Sequence, residues 1–155
     1  VLFADECFRQ GLSMPALGSE TQEQLAAVLS IGTSICNPMD FAADYFQPKV
    51  IELALDRIAA DANIDTIVFH IAIDLYSVTV KHAEWVKKAF VDVLASTGGT
   101  ISGKPLVVLM PHLIEDALRG EVEQRLLRSG IAVFSTAPRL LRVLGGIRKY
   151  YEKRP

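Results

Sequence analysis

The sequence predicts an α/β domain built as a doubly wound parallel sheet, and three observations support that reading. Thr66 to Ile73 is a nearly unbroken apolar run between Asp65 and Asp74, the pattern of a strand covered on both faces. Pro105 to Met110 is a second such run, with proline at the permitted first position. Segments whose apolar residues recur at helical spacing lie before, between and after these runs, which requires crossover connections rather than hairpins.

Taken in order, Phe3, Cys7 and Phe8 followed by Gly11 read as an opening helix with a glycine past its last turn. Ser13 to Leu17 reads as a short extended piece interrupted by Pro15. Ser19, with Glu20, Gln22 and Glu23 behind it, caps a helix to about Ser30. Ile31 to Phe46 is a long connection. Pro48 opens a helix whose buried face is Ile51, Ala54, Leu55 and Ile58. After the Thr66–Ile73 strand, Val78 to about Ala95 forms a surface helix, and Gly98 to Gly103 reads as a flexible connector. Ile114, Leu118, Val122 and Leu126 mark the next helix, stopped by Gly130. Ile131 to Phe134 is a short strand, and Ala137 to Tyr151 closes the chain as a helix.

The 155 residues suit one domain, and the start on a helix leads us to expect a longer parent chain that supplies a first, central strand. That strand would lie between Ser13–Leu17 and Thr66–Ile73. Its place would be taken by residues preceding Val1, by a second copy, or by an altered strand order.

Sixteen basic against 18 acidic residues leave a net charge of -2, without the basic excess of a nucleic-acid surface. Half the residues are hydrophobic, so disorder is excluded. No apolar run approaches the roughly 18 uncharged residues of a membrane span, and Val1 to Glu6 lacks the pattern of a signal peptide. The two cysteines, Cys7 and Cys36, occur without a CxxC or a nearby histidine, which favours reduced thiols and a cytoplasmic location.

The Walker, GxSxG, GxGxxG, HExxH and EF-hand patterns are all absent. His70 and His112 fall late in, or just after, the two apolar strands, near the carboxyl edge where such sheets bind ligands. A histidine pair can bind metal or carry phosphate, but no acidic or cysteine ligand follows at fixed spacing, and ordinary packing is the competing reading. His82 lies on a charged helix face. Asn37-Pro38-Met39-Asp40-Phe41 is a proline-fixed turn between two residues able to bond their own backbone, either a ligand-side loop or a helix-capping Asx turn. Arg139, Arg142, Arg148, Lys149, Lys153 and Arg154 could hold a phosphate or form the solvated face of the last helix.

The order Leu2-Phe3-Ala4-Asp5-Glu6-Cys7, Gly11-Leu12, Glu20-Thr21 to Leu25 and Asn37-Pro38-Met39-Asp40-Phe41 resembles the ligase-CoA domain of NDP-forming acyl-CoA synthetases, in the succinyl-CoA synthetase superfamily. Further matches are the strand after Asn63-Ile64-Asp65, the Lys104-Pro105-Leu106-Val107-Val108 strand, and Gly130 to Arg139, which is similar to the family's GIPVY-x-TPERA element. Met39 and Phe41 stand where valine and leucine are commoner. The resemblance implies a flavodoxin-like domain of a ligase that makes acyl-CoA from acid, CoA and NTP through a phosphohistidine. CoA, NTP and magnesium are implied for the parent and none for this chain.

The implied partners are CoA-binding, phosphohistidine and ATP-grasp domains or subunits, with a homo-oligomer also possible; nucleic acid and membrane are not expected partners. The Gly-rich strand-turn, the SHTGS-type loop and the ATP-grasp region of the family are missing from this sequence, so the phosphorylated histidine is carried onto none of His70, His82 or His112. Asn37, Pro38, Asp40, His70 and Asp74 are the candidate binding or interdomain residues, and no catalytic or metal-binding residue is assigned. The alternative function is a non-catalytic assembly or regulatory module derived from the same family.

Overall fold

The computed structural model describes residues 2–71, 91–111 and 117–153. Its elements are α1 (Leu2–Arg9), α2 (Ser19–Ala26), a 3₁₀ turn (Ala42–Phe46), α3 (Pro48–Ala60), β1 (Ile67–His70), α4 (Val93–Ser96), β2 (Thr100–Ile101), β3 (Lys104–Leu109), α5 (Ala117–Arg128), β4 (Ala132–Phe134) and α6 (Ala137–Glu152). Asp74, His82 and His112, and most of the expected Val78–Ala95 helix, lie outside the described residues. Among those described, no helix is long and apolar enough to cross a membrane.

β3 is the middle of an open sheet. β1 pairs parallel to it from Ile67 opposite Leu106 to His70 opposite Leu109, and β4 pairs parallel on its other side, Val107 opposite Ala132. The class is therefore the expected α/β, a flavodoxin-like parallel sheet that among the described residues is one strand short. β3 is buried on both faces because its side chains alternate between two cores. Leu106, Val108 and Met110 join Ile67, Phe69 and Ile71 in the larger core, with Leu25, Ile51, Leu55, Leu94, Val122 and Leu126 from the helices of that side. Val107 and Leu109 turn the other way, onto Cys7, Leu140 and Leu141 of α1 and α6. The result is three layers: helices, sheet, helices.

Three sequence expectations need correction. Ser13–Leu17 forms no strand: the carbonyls of Pro15, Ala16 and Leu17 accept side-chain amides from Asn37, Asn63 and Gln22 in place of a ladder. Ser19 is not the cap of α2 but lies in its first turn. Gly18 holds the N-cap, and its N–H donates to the buried Asp61 carboxylate at 2.7 Å, with Asn63 N–H on the other oxygen at 2.8 Å. These bonds hold the Asp61 carboxyl below the usual aspartate range, first through Asn63. Gly98–Gly103 is more ordered than a flexible connector, because Thr100–Ile101 folds back antiparallel on Lys104–Pro105 through Ser102 and Gly103, both at positive φ.

Two glycines are required by their surroundings. Gly130 ends α5 at φ 86, with Ile131 N–H donating to Leu126 and Gly130 N–H to Leu127, the two bonds of a Schellman motif. Gly145 sits inside α6, where a Cβ would lie 2.8 Å from the carbonyl oxygen of Gln10; the bare backbone lets the end of α1 approach. Its neighbour Gly146 faces open space. Gly145→Ala should therefore destabilise the domain by about 1–3 kcal/mol through overpacking, while Gly146→Ala should stabilise it by up to ~1 kcal/mol through helix propensity. Denaturant unfolding of the two variants beside the parent chain checks the opposite signs.

Candidate functional site

The turn at Asn37–Phe41 and the histidine at the end of β1 come together through two aromatic side chains. Ser34 and Asp40 exchange both backbone hydrogen bonds, 2.9 and 3.0 Å, closing the loop that contains the cis Asn37–Pro38 bond. Asn37 Nδ2 donates to Pro15 O at 3.0 Å, tying the loop to the segment after α1. Phe41 then packs on Phe69 with ring centroids 6.3 Å apart, and Tyr45 stacks on the same ring at 6.2 Å and an interplanar angle of 8°. The Tyr45 hydroxyl donates to His70 O at 3.0 Å. The loop is thereby hung on the carboxyl end of β1, the edge that open α/β sheets use for ligands.

Four of the five candidate residues have a definite place. Asp40 is exposed, and its Oδ1 accepts the Ala42 N–H at 2.9 Å, so the carboxylate makes the Asx turn that leads into the 3₁₀ turn and leaves its other oxygen outward. Pro38 and Asn37 shape the loop. The His70 side chain lies on the α1 and α6 face of the sheet, with Val68, and reaches solvent; partial enclosure by protein pushes its pKa below the ordinary histidine value, which favours the neutral ring. Asp74 lies outside the described residues, so His70 and the Asn37–Asp40 turn are the part of the candidate set that is brought together.

Residues that sequence reasoning passed over hold this edge in place. Asp44, buried in the 3₁₀ turn, accepts the Ser30 N–H at 2.5 Å, the Ser30 hydroxyl at 2.7 Å, the Gln47 amide at 2.9 Å and the Thr33 hydroxyl at 3.2 Å. These donors, Ser30 N–H foremost, lower its pKa. Ser30, Thr33, Asp44 and Gln47 have no regular spacing, so only the fold reveals them. Arg119 is the other: buried beside the end of β3, it donates from Nη2 to Met110 O at 2.9 Å and from Nη1 to Glu123 at 2.6 Å, while its Nε has no partner among the described residues. On helix spacing alone it reads as an outward charge.

No three His, Cys, Asp or Glu side chains among the described residues converge as a metal site requires. A groove between α3, α4 and β2 is lined by Glu52 and Asp56 together with Ser96, Thr97, Thr100 and Ser102. Two carboxylates there repel a phosphate, so the groove does not fit a nucleotide or the diphosphate of CoA.

No family model matches the chain, and no curated protein is a recognisable relative in sequence. Solved structures do resemble it. The crystal structure of PH0766 from Pyrococcus horikoshii OT3 superposes with a TM-score of 0.66 at 18% identity, covering 97% of this chain and 33% of that one. The apo form of the dinucleotide forming acetyl-coenzyme A synthetase 1 of Ca. Korarchaeum cryptofilum superposes with a TM-score of 0.67 at 17% identity, covering 97% of this chain and 30% of that one. The chain thus spans about a third of the length of the structures it matches, and the fold of the acyl-CoA synthetase resemblance is the fold it has.

Asp44 and Asp40 should separate in their effect on stability. The folded-state pKa of Asp44 lies below its unfolded value, so its contribution is fully present above the ordinary aspartate range of about pH 4 and is lost as pH falls through the lowered folded value. Asp44→Ala should lower the melting temperature at pH 7 more than Asp40→Ala, and should also flatten the acid limb of the stability curve. Thermal melts of both variants from pH 7 down to pH 3 provide the check.

Proposed function

We propose that this chain is a domain of an NDP-forming acyl-CoA synthetase, serving contacts between domains and on the phosphate side of the reaction from the carboxyl edge of its sheet. The observation that carries the reading is the superposition of 97% of the chain on a third of an acetyl-CoA synthetase, a fold match reached independently of the Asn37-Pro38-Met39-Asp40 motif. The geometry of that edge supports the physical role. Asn37, Pro38 and Asp40 present a loop whose shape is fixed from behind by Asp44, Phe41 and Tyr45, so that a facing surface meets a preformed contact and little ordering entropy is lost.

Acid activation itself belongs, in this reading, to domains or a partner subunit that bind CoA, bear the phosphohistidine and bind NTP with magnesium. The chain's own part is to orient and to exclude water at the edge that it presents. His70 meets that edge through its main-chain carbonyl, which accepts the Tyr45 hydroxyl, while its ring lies on the α1 and α6 face, where burial lowers its pKa and favours the neutral form.

Alone, the 155-residue chain is expected neither to convert acyl-CoA, NDP and phosphate to acid, CoA and NTP nor to become labelled by acyl phosphate or NTP. Acid-labile phosphate on His70 or His112 would overturn this. In the parent enzyme, Asp40→Ala should lower turnover while the domain's unfolding changes little, since the carboxylate's hydrogen bond to Ala42 N–H is local and exposed and the backbone bonds to Ser34 are kept. A gene with neither an SHTGS-type loop nor an ATP-grasp segment, in the same chain or in a partner, would replace the ligase reading with that of a non-catalytic module.

A further inference from the structure

α6 changes character half-way along. Leu140, Leu141 and Gly145 are buried, the two leucines in the core that α6 shares with α1 and the sheet, whereas every residue from Gly146 to Lys153 is exposed. Helices in proteins owe most of their stability to an apolar face that packs, and a two-turn end has little of its own. This end carries such a face. Val143, Ile147 and Tyr150 recur at helical spacing with Tyr151 beside them, and they are 43, 49, 55 and 64% exposed.

The face lies apart from the residues outside the description. Ile71, Val91, Met110 and Leu118, which flank those residues, all pack in the larger core, whereas α6 belongs to the other one, with Cys7, Val107 and Leu109. α6 also starts at the carboxyl end of β4 and packs back along it, so its last turns point toward the amino edge of the sheet, away from His70 and Met110.

The charge beside this face selects what can cover it. Residues 137–154 carry six basic side chains against Glu152 alone, in a chain whose net charge is -2, and Glu152 is already used by Arg148 at 2.7 Å. At ~100° per residue, Arg139, Arg142, Lys149 and Lys153 share one flank, directly beside Val143 and Tyr150. We propose that this face docks an amphipathic helix of another protein or domain, apolar at its centre and lined with glutamates or aspartates on the side that meets these cations. Two copies set antiparallel across the face bring their cationic flanks side by side, which repulsion opposes. An anionic bilayer is the poorer fit, since the exposed stripe offers a valine, an isoleucine and two tyrosines, with no leucine, phenylalanine or tryptophan to insert.

The test uses two synthetic helical peptides with the same leucine stripe, one flanked by glutamates and one by lysines, titrated with the 155-residue chain and followed by fluorescence anisotropy. We expect saturable binding of the glutamate peptide, binding of the lysine peptide weaker by about tenfold or more, and loss of affinity as salt rises, because the flanking charges are exposed. Ile147→Gln, a neutral change at an exposed helix position, should leave the melting temperature unchanged and weaken the glutamate peptide by about tenfold. Lys149→Glu combined with Lys153→Glu should reverse the preference between the peptides. No binding of either peptide, equal affinity for both, or binding that ignores Ile147→Gln overturns the proposal. So does a chain that sediments with phosphatidylglycerol vesicles but binds neither peptide, or one whose light scattering shows a dimer that Ile147→Gln dissolves.

Discussion

β3 is the one strand among those described with a parallel neighbour on each side, and the other parts of the fold take their positions from it. Its six residues alternate between two cores, so a single chain segment decides which helices lie above the sheet and which below. Lys104 at its start donates from Nζ to Asp61 O, and Asp61 in turn holds Gly18 at the head of α2 and the Asn63 turn that leads into β1. At its other end Met110 N–H donates to Phe134 O, and Met110 O receives Arg119. Moving β3 by one residue would exchange its two buried faces and break both sets of polar contacts at once.

Much of this was legible in the sequence where periodicity and composition act locally. The apolar runs around Phe69 and Val108 announced buried strands, Pro48 marked the start of its helix, and Gly11 and Gly130 marked helix ends. What was not legible depends on partners distant in the chain. Gly18 has no side chain to cap with, and its carboxylate arrives from 43 residues away. Ser13–Leu17 has the composition of a strand, but pairing is a property of two segments and among the described residues none pairs with it; side-chain amides occupy its carbonyls instead. Thr100–Ile101 was too short to show alternation.

The same division holds at the carboxyl edge. Asn37, Pro38 and Asp40 stood out because their residue types bend a backbone, and they do bend it. Asp44 and Tyr45 gave no signal, since a carboxylate in a polar connection and a tyrosine before a helix look like ordinary solvated residues. One is nonetheless the buried acceptor for four donors, and the other joins a loop to a strand end. Arg119 shows the opposite failure: the helical charge pattern turns it to solvent, whereas the fold buries it against a main-chain carbonyl, where a guanidinium's several donors are harder to satisfy.

The bonds that fix Pro15, Ala16 and Gly18 come from Asn37, Asn63 and Asp61, residues 22, 47 and 43 positions further along. Each closes a long loop and yields a single hydrogen bond, so each becomes favourable only when its partner is already held in place. Parallel pairing of β1, β3 and β4 also spans long intervals, but it is rewarded by burial of an entire core. The order of assembly that follows has the later part of the chain and α3 condensing first, with the leading segment as the last to be fastened. A ribosome delivers this stretch in the reverse sense, so Pro15 to Gly18 must wait, unfastened, for the residues that will anchor them.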